Sequence, residues 1–187
     1  MKFDQQRHHR RSVRMKGYDY SQAGAYFVTI VTWRREMLFG EIVIGEMVLN
    51  DYGRIAEECW IAIPDHFPNV ELGGHMVMPN HLHGIIGIHD EKIGMATNPS
   101  PSVGAQHAAP LRISNVKPGS LGAIVRSFKS AVTRRIGREH NVTGIWQRNY
   151  YERIIRDDRE MDRITRYIES NLSMWAEDKE NPNNGRG

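Results

Sequence analysis

Two histidines, His81 and His83, open an apolar run in the segment Met78-Pro79-Asn80-His81-Leu82-His83-Gly84-Ile85-Ile86. Side chains alternate faces along a strand, so both imidazoles point one way while Leu82, Ile86 and Ile88 point the other, toward a core. Two imidazoles side by side are a ready pair of metal ligands. Nearer the C-terminus, Tyr167 and Asn171 stand one helical turn apart on one face. Both lie on the shoulder of an apolar stripe, where a tyrosine hydroxyl reaches the edge of the core and a cleft can form. Asn171 offers a carbonyl oxygen as a third ligand. Two nitrogens and an oxygen, with positions left open, suit a catalytic divalent ion better than a closed structural site. By spacing alone, the histidines fit equally simple packing roles, so the surrounding elements have to decide.

Residues 25–33 are dense in β-branched and aromatic types and read as a strand buried on both faces. Residues 41–49, with Gly45 at the centre, read as a short hairpin or an irregular strand pair. Asp51 to Ile63 reads as a helix with Ile55, Cys59 and Ala62 inward, ended by Pro64. Val70 to Met78 is a second strand, broken at Pro79-Asn80, and His81 to Ile88 a third. Ser120 caps a helix running to about Gly137, with Leu121, Ile124, Phe128, Val132 and Ile136 as its core stripe. Trp146 to Ile155 reads as a fourth strand. The last helix runs from Asp158 to Trp175 on a stripe of Met161, Ile164, Ile168, Leu172 and Trp175. This order predicts an α+β fold: a ferredoxin-like antiparallel sheet with helices packed on one face.

The 187 residues fit one domain, with an ordinary 40% apolar and 25% charged content. The single cysteine, Cys59, excludes a disulfide framework and a cysteine zinc cluster. No apolar run approaches the about 20 residues of a membrane helix, and residues 1–11 lack the apolar core of a signal peptide. The expected location is the cytoplasm. Residues 1–16 form a basic arm of net charge +5 on a body of −2, a balance that suggests contact with a polyanion. The domain is expected over 17–178, with a flexible loop at about 90–119 rich in Gly, Pro, Ser and Ala, and a disordered tail over 179–187.

The histidine segment resembles the HUH motif of the single-tyrosine transposases. So do Trp146-Gln147-Arg148-Asn149-Tyr150-Tyr151 and Tyr167-Ile168-Glu169-Ser170-Asn171, and the opening Tyr18-Asp19-Tyr20 and Gly24-Ala25-Tyr26-Phe27-Val28-Thr29. The nearest subgroup is the REP-associated tyrosine transposases, and the likeness spans about residues 10–175. It implies a nucleoid-associated bacterial enzyme that cleaves and rejoins single-stranded DNA at palindromic hairpins, as a monomer or homodimer. His81, His83 and Asn171 are then implied to hold Mg²⁺ or Mn²⁺, and Tyr167 to attack phosphorus and form a 5′-phosphotyrosine link. Arg10, Arg11, Arg14 and Lys16 of the arm, with Arg126, Lys129 and Arg134, are the candidates for phosphate contacts, and Tyr18 or Tyr20 for stacking on unpaired bases.

One position departs from the family. Proline often follows the asparagine, and here Leu172 does, which predicts that the helix continues past Asn171. Tyr150 and Tyr151 compete with Tyr167 as nucleophile, but a strand-like setting favours packing for both. His66, His75 and His89 read as structural or surface residues, with an outer-partner role as the alternative for His75, one strand from the pair. A hairpin-binding protein without turnover is the alternative reading.

Overall fold

The computed structural model describes residues 19–90, 117–178 and 180–182. Elements follow in the order β1 (Gly24–Val31), the hairpin β2 (Gly40–Val43) and β3 (Glu46–Leu49), α1 (Asp51–Ile61), α2 (Ile63–His66), β4 (Val70–Met78), β5 (His81–Ile88), α3 (Leu121–His140), β6 (Tyr151–Ile155) and α4 (Asp158–Ser170). The main sheet is antiparallel throughout, in the order β4-β5-β1-β6. Setting aside the hairpin and α4, this is the split strand–helix–strand arrangement that the sequence predicts.

The apolar run of β5 reads on both faces of the sheet. Leu82, Ile86 and Ile88 join Tyr26, Val28 and Ile30 of β1 beneath Trp60 of α1 and Phe128 of α3, forming the main core. Ile85, on the opposite face, packs with Ile155 and with Ile164 and Ile168 of α4. The expectation of helices on one face therefore holds for α1 and α3, while α4 covers the other. A strand apolar on alternate and intervening positions alike needs cover on both sides. Arg135 of α3 reaches Glu58 of α1 at 2.5 Å, fastening the two helices together.

The ends of several elements differ from the sequence expectation. The first helix stops at Ile61, and Pro64 sits in the opening turn of α2, where its missing N–H is no loss. Ser120 caps α3 as expected, accepting from the Ala123 N–H, but α3 runs on to His140, where Asn141 turns left-handed (φ 56°). The fourth strand is only Tyr151–Ile155; Trp146 makes a single bridge to Thr32. Lys129 takes the main-chain oxygens of Gln147 (2.5 Å) and Asn149 (3.3 Å). Helix α4 ends at Ser170 despite Leu172, with Asn171 as its cap. Glu180 and Asn181, expected in a disordered tail, are buried in the domain. The basic arm, Tyr18 and most of the loop, residues 91–116, lie outside the described residues.

Gly84 follows the second histidine because Trp60 leaves no alternative. A Cβ there would overlap the Trp60 ring, which is fully buried across β5. Gly84→Ala forces that ring or the strand to shift, and should destabilise the fold by about 1–3 kcal/mol, measured by urea unfolding of the purified protein.

Candidate active site

His81 and His83 lie on the α4 face of β5, with ring centroids 4.4 Å apart, both essentially inaccessible to solvent. The register explains the pairing. His83 stands opposite Thr29 of β1, and the Thr29 hydroxyl lies 2.8 Å from His83 Nδ1. His81 Nδ1 lies 2.9 Å from Asn80 Oδ1. Phe27 stacks on His83 at 5.3 Å and meets Tyr167 edge-on at 5.9 Å, filling the floor between strand and helix.

Tyr167 comes from α4 and is 40% exposed, so its hydroxyl has access to solvent while its ring rests on the site. That hydroxyl lies 3.4 Å from His83 Nε2. Burial, and then the negative charge of Asp178, push the phenol above its ordinary value. Of the competing tyrosines, Tyr150 packs against the main core, and Tyr151 stands opposite Thr29 in the β1–β6 register. His75 stands opposite Gly84 and beside Trp60, on the face turned away from the histidine pair. It is therefore no outer partner of the site.

Helix α4 is anchored at the end away from Tyr167. Asp157 caps it, accepting from the Glu160 N–H. Glu160 in turn binds Arg153 of β6 and the Arg156 N–H. Gly73 and Gly74 allow the opposite approach: β4 carries an irregularity between Leu72 and His75, and Gly74 lies under Ile168.

Asn171, one turn beyond Tyr167, is buried to 1% exposure. Its amide oxygen and nitrogen find no hydrogen-bond partner among the described residues. Such an orphaned amide costs about 1–3 kcal/mol, a penalty that a ligated cation relieves. Sequence spacing did not reveal the remaining member of the cluster. After Asn171 the chain turns back through a short helical turn, Trp175–Glu177, and brings the buried Asp178 to the pair. The ligand atoms of His81, His83 and Asp178 lie within 4.8 Å of one another. Two imidazoles and a carboxylate, all buried, make a donor set that fits a divalent cation. No local pattern marks Asp178, since its place depends on the reversal at 171–177.

A groove of about 1260 Å³ runs between α3 and residues 144–151. Arg126 and Arg134 of α3 are exposed along it, Arg148 lines the facing wall, and Tyr20 and Tyr150 contribute aromatic surface. Lys129 clamps the two walls through the carbonyls named above. Tyr151 lines the groove and stands in register with Thr29. Arg10, Arg11, Arg14 and Lys16 lie outside the described residues.

Comparison with known proteins agrees with this architecture. No protein-family profile matches the chain. An uncharacterized protein of Haemophilus influenzae is 41% identical over 172 residues, covering 92% of this chain and 93% of its own length. A second protein of that organism, provisionally named a REP-associated tyrosine transposase, is 23% identical over 150 residues, 80% of this chain and 70% of its own. The solved structure of a REP-associated tyrosine transposase bound to a REP hairpin superposes with a TM-score of 0.57 at 17% identity, covering 89% of this chain and 77% of that one. The fold is thus that of a tyrosine transposase. The second Haemophilus protein adds a distant sequence likeness to the same group, the REP-associated tyrosine transposases. Among the described residues, no helix is long and apolar enough to cross a membrane.

Burial lowers Lys129 from 10.5 to about 8. Between those values the unfolded chain holds a proton that the folded one has released, so stability rises with pH across that interval. Chemical denaturation from neutral to alkaline pH should show this rise in the parent protein and lose it in Lys129→Met.

Proposed function

We propose that the protein cleaves and rejoins single-stranded DNA at a palindromic hairpin, with Tyr167 as the nucleophile and Mg²⁺ or Mn²⁺ as cofactor. The observation that carries this reading is the placement of the Tyr167 hydroxyl 3.4 Å from His83 Nε2, at the rim of a buried donor set. His81, His83 and Asp178 would hold the ion, with the orphaned Asn171 amide as a further ligand. A bound ion would supply positive charge to the scissile phosphate and to the phenol, offsetting the burial that keeps Tyr167 protonated.

Tyr167 Oη forms a bond to phosphorus and loses its proton; the bond from phosphorus to the 3′ oxygen breaks, and that oxygen leaves as a free hydroxyl. The phosphotyrosine keeps the energy of the phosphodiester, so a second 3′ hydroxyl can reverse the step and rejoin the strand. Phe27 fixes the ring plane, and partial exposure leaves room for a strand to approach. The α3 groove is suited to the DNA. Arg126 and Arg134, with Arg10, Arg11, Arg14 and Lys16 of the arm, would meet phosphates, whereas Lys129, expected among them, is taken up by the carbonyls of Gln147 and Asn149. The aromatic side chains would stack on unpaired bases. Support for a hairpin comes from the REP hairpin bound by the structural relative.

The test uses end-labelled single-stranded oligonucleotides bearing palindromes from the gene's own flanks. With Mn²⁺ present, the parent protein should yield a denaturant-resistant adduct; EDTA and Tyr167→Phe should each abolish it, while Tyr167→Phe still binds the hairpin. Arg126→Ala with Arg134→Ala should weaken binding and flatten its salt dependence by about two phosphate contacts. Hairpin binding without an adduct across all flanking sequences would establish a binder without turnover and sink the catalytic reading.

A further inference from the structure

We infer that Asn80 is a positioning residue that locks His81 in the tautomer whose Nε2 carries the lone pair toward the donor cluster. The inference rests on the reading of His81 as a metal ligand. Asn80 is fully buried in the two-residue turn between β4 and β5. Its amide nitrogen donates to the main-chain oxygen of Arg35 at 3.1 Å and to that of Glu180 at 2.7 Å. An amide turned the other way would set its oxygen against two carbonyl oxygens, so the network fixes its orientation. Oδ1 is therefore the atom facing His81 Nδ1 at 2.9 Å. A carbonyl oxygen only accepts, so Nδ1 must carry the hydrogen. In a neutral imidazole the lone pair then resides on Nε2.

The surroundings of Asn80 are built to hold this amide. Its own carbonyl accepts from the Thr32 N–H at 2.9 Å, tying the turn to the end of β1. Arg35, whose carbonyl receives the amide, also donates from Nε to the Glu180 carboxylate at 2.7 Å. Arg34 and Arg35 both adopt left-handed backbone, at φ 53° and 58°, which side chains other than glycine rarely do. Strain of this kind persists where its surroundings demand it. Here it aims one arginine's carbonyl at Asn80 and its guanidinium at Glu180. The hydroxyl of Thr29 imposes no such choice on His83, because it can donate or accept.

Two-bond ¹H–¹⁵N correlation spectra of the metal-free protein, at a pH where imidazoles are neutral, report each histidine's tautomer. The parent should show His81 protonated at Nδ1, and Asn80→Leu, which keeps the shape but removes the acceptor, should show mixed tautomers. Mn²⁺ binding, followed by electron paramagnetic resonance, should weaken about 10- to 100-fold in Asn80→Leu. A parent His81 protonated at Nε2 overturns the inference, even if the variant fails to fold. So does a folded Asn80→Leu with unchanged tautomer and affinity. A parent that binds no Mn²⁺ instead defeats the metal reading, while the tautomer spectrum still decides the role of Asn80.

Discussion

A slip of one residue in the pairing of β5 would turn both histidines into the main core and expose Leu82, Ile86 and Ile88 on the other face. The position of this strand is the constraint on which the rest depends. Three features pin it. The two-residue turn at Pro79–Asn80 sets Met78 opposite His81. Pairing with β1 sets Thr29 opposite His83. Trp60 leaves space only for glycine at position 84. Each acts on a different side of the strand, and a slip would break all three together.

The candidate catalytic groups divide between this rigid strand and a helix that is held differently. Helix α4 rests on the sheet through a small cluster, Ile164 and Ile168 against Ile85 and Ile155, far smaller than the core beneath α1 and α3. Its start is fastened to β6 by Glu160 and Arg153, whereas its end, with Tyr167 and Asn171, lies at the site. The histidines are preset by the sheet, and the tyrosine is presented from an element with a lighter hold. That arrangement holds the hydroxyl near His83 while leaving one side of the ring open to solvent.

What the sequence disclosed follows the reach of each interaction. The period of two along β5 and the spacing of four along α4 are local, so His81, His83, Tyr167 and Asn171 could be found together. The stripe of α3 and the Ser120 cap were legible for the same reason. Asp178 and Glu180 were not, because their roles arise from contacts across long stretches of chain: Asn80 and Glu180 are 100 residues apart, Arg35 and Glu180 145. The shortened fourth strand was equally hidden, since the contacts that Lys129 makes with the carbonyls of Gln147 and Asn149 leave no trace in local composition. The second covered face was present in the sequence as an apolar run without alternation, but read as a strand beneath a single layer of helices.

The places where local rules fail lie close together. Two left-handed arginines at about 1–2 kcal/mol each, an orphaned buried amide and a carboxylate packed against two imidazoles all surround the turn at residues 79–80 and the reversal after residue 170. Elsewhere the left-handed residues sit where turn geometry calls for them, as at Ile44 beside Gly45 in the tip of the β2–β3 hairpin. A fold selected for stability alone would not gather those penalties in one place, and natural proteins tend to do so at functional sites. The well-filled core on the other face of the sheet offsets them. One layer, under α1 and α3, therefore supplies most of the buried core, and the layer under α4 holds the candidate site, with β5 shared between them and its alternating side chains assigned one to each.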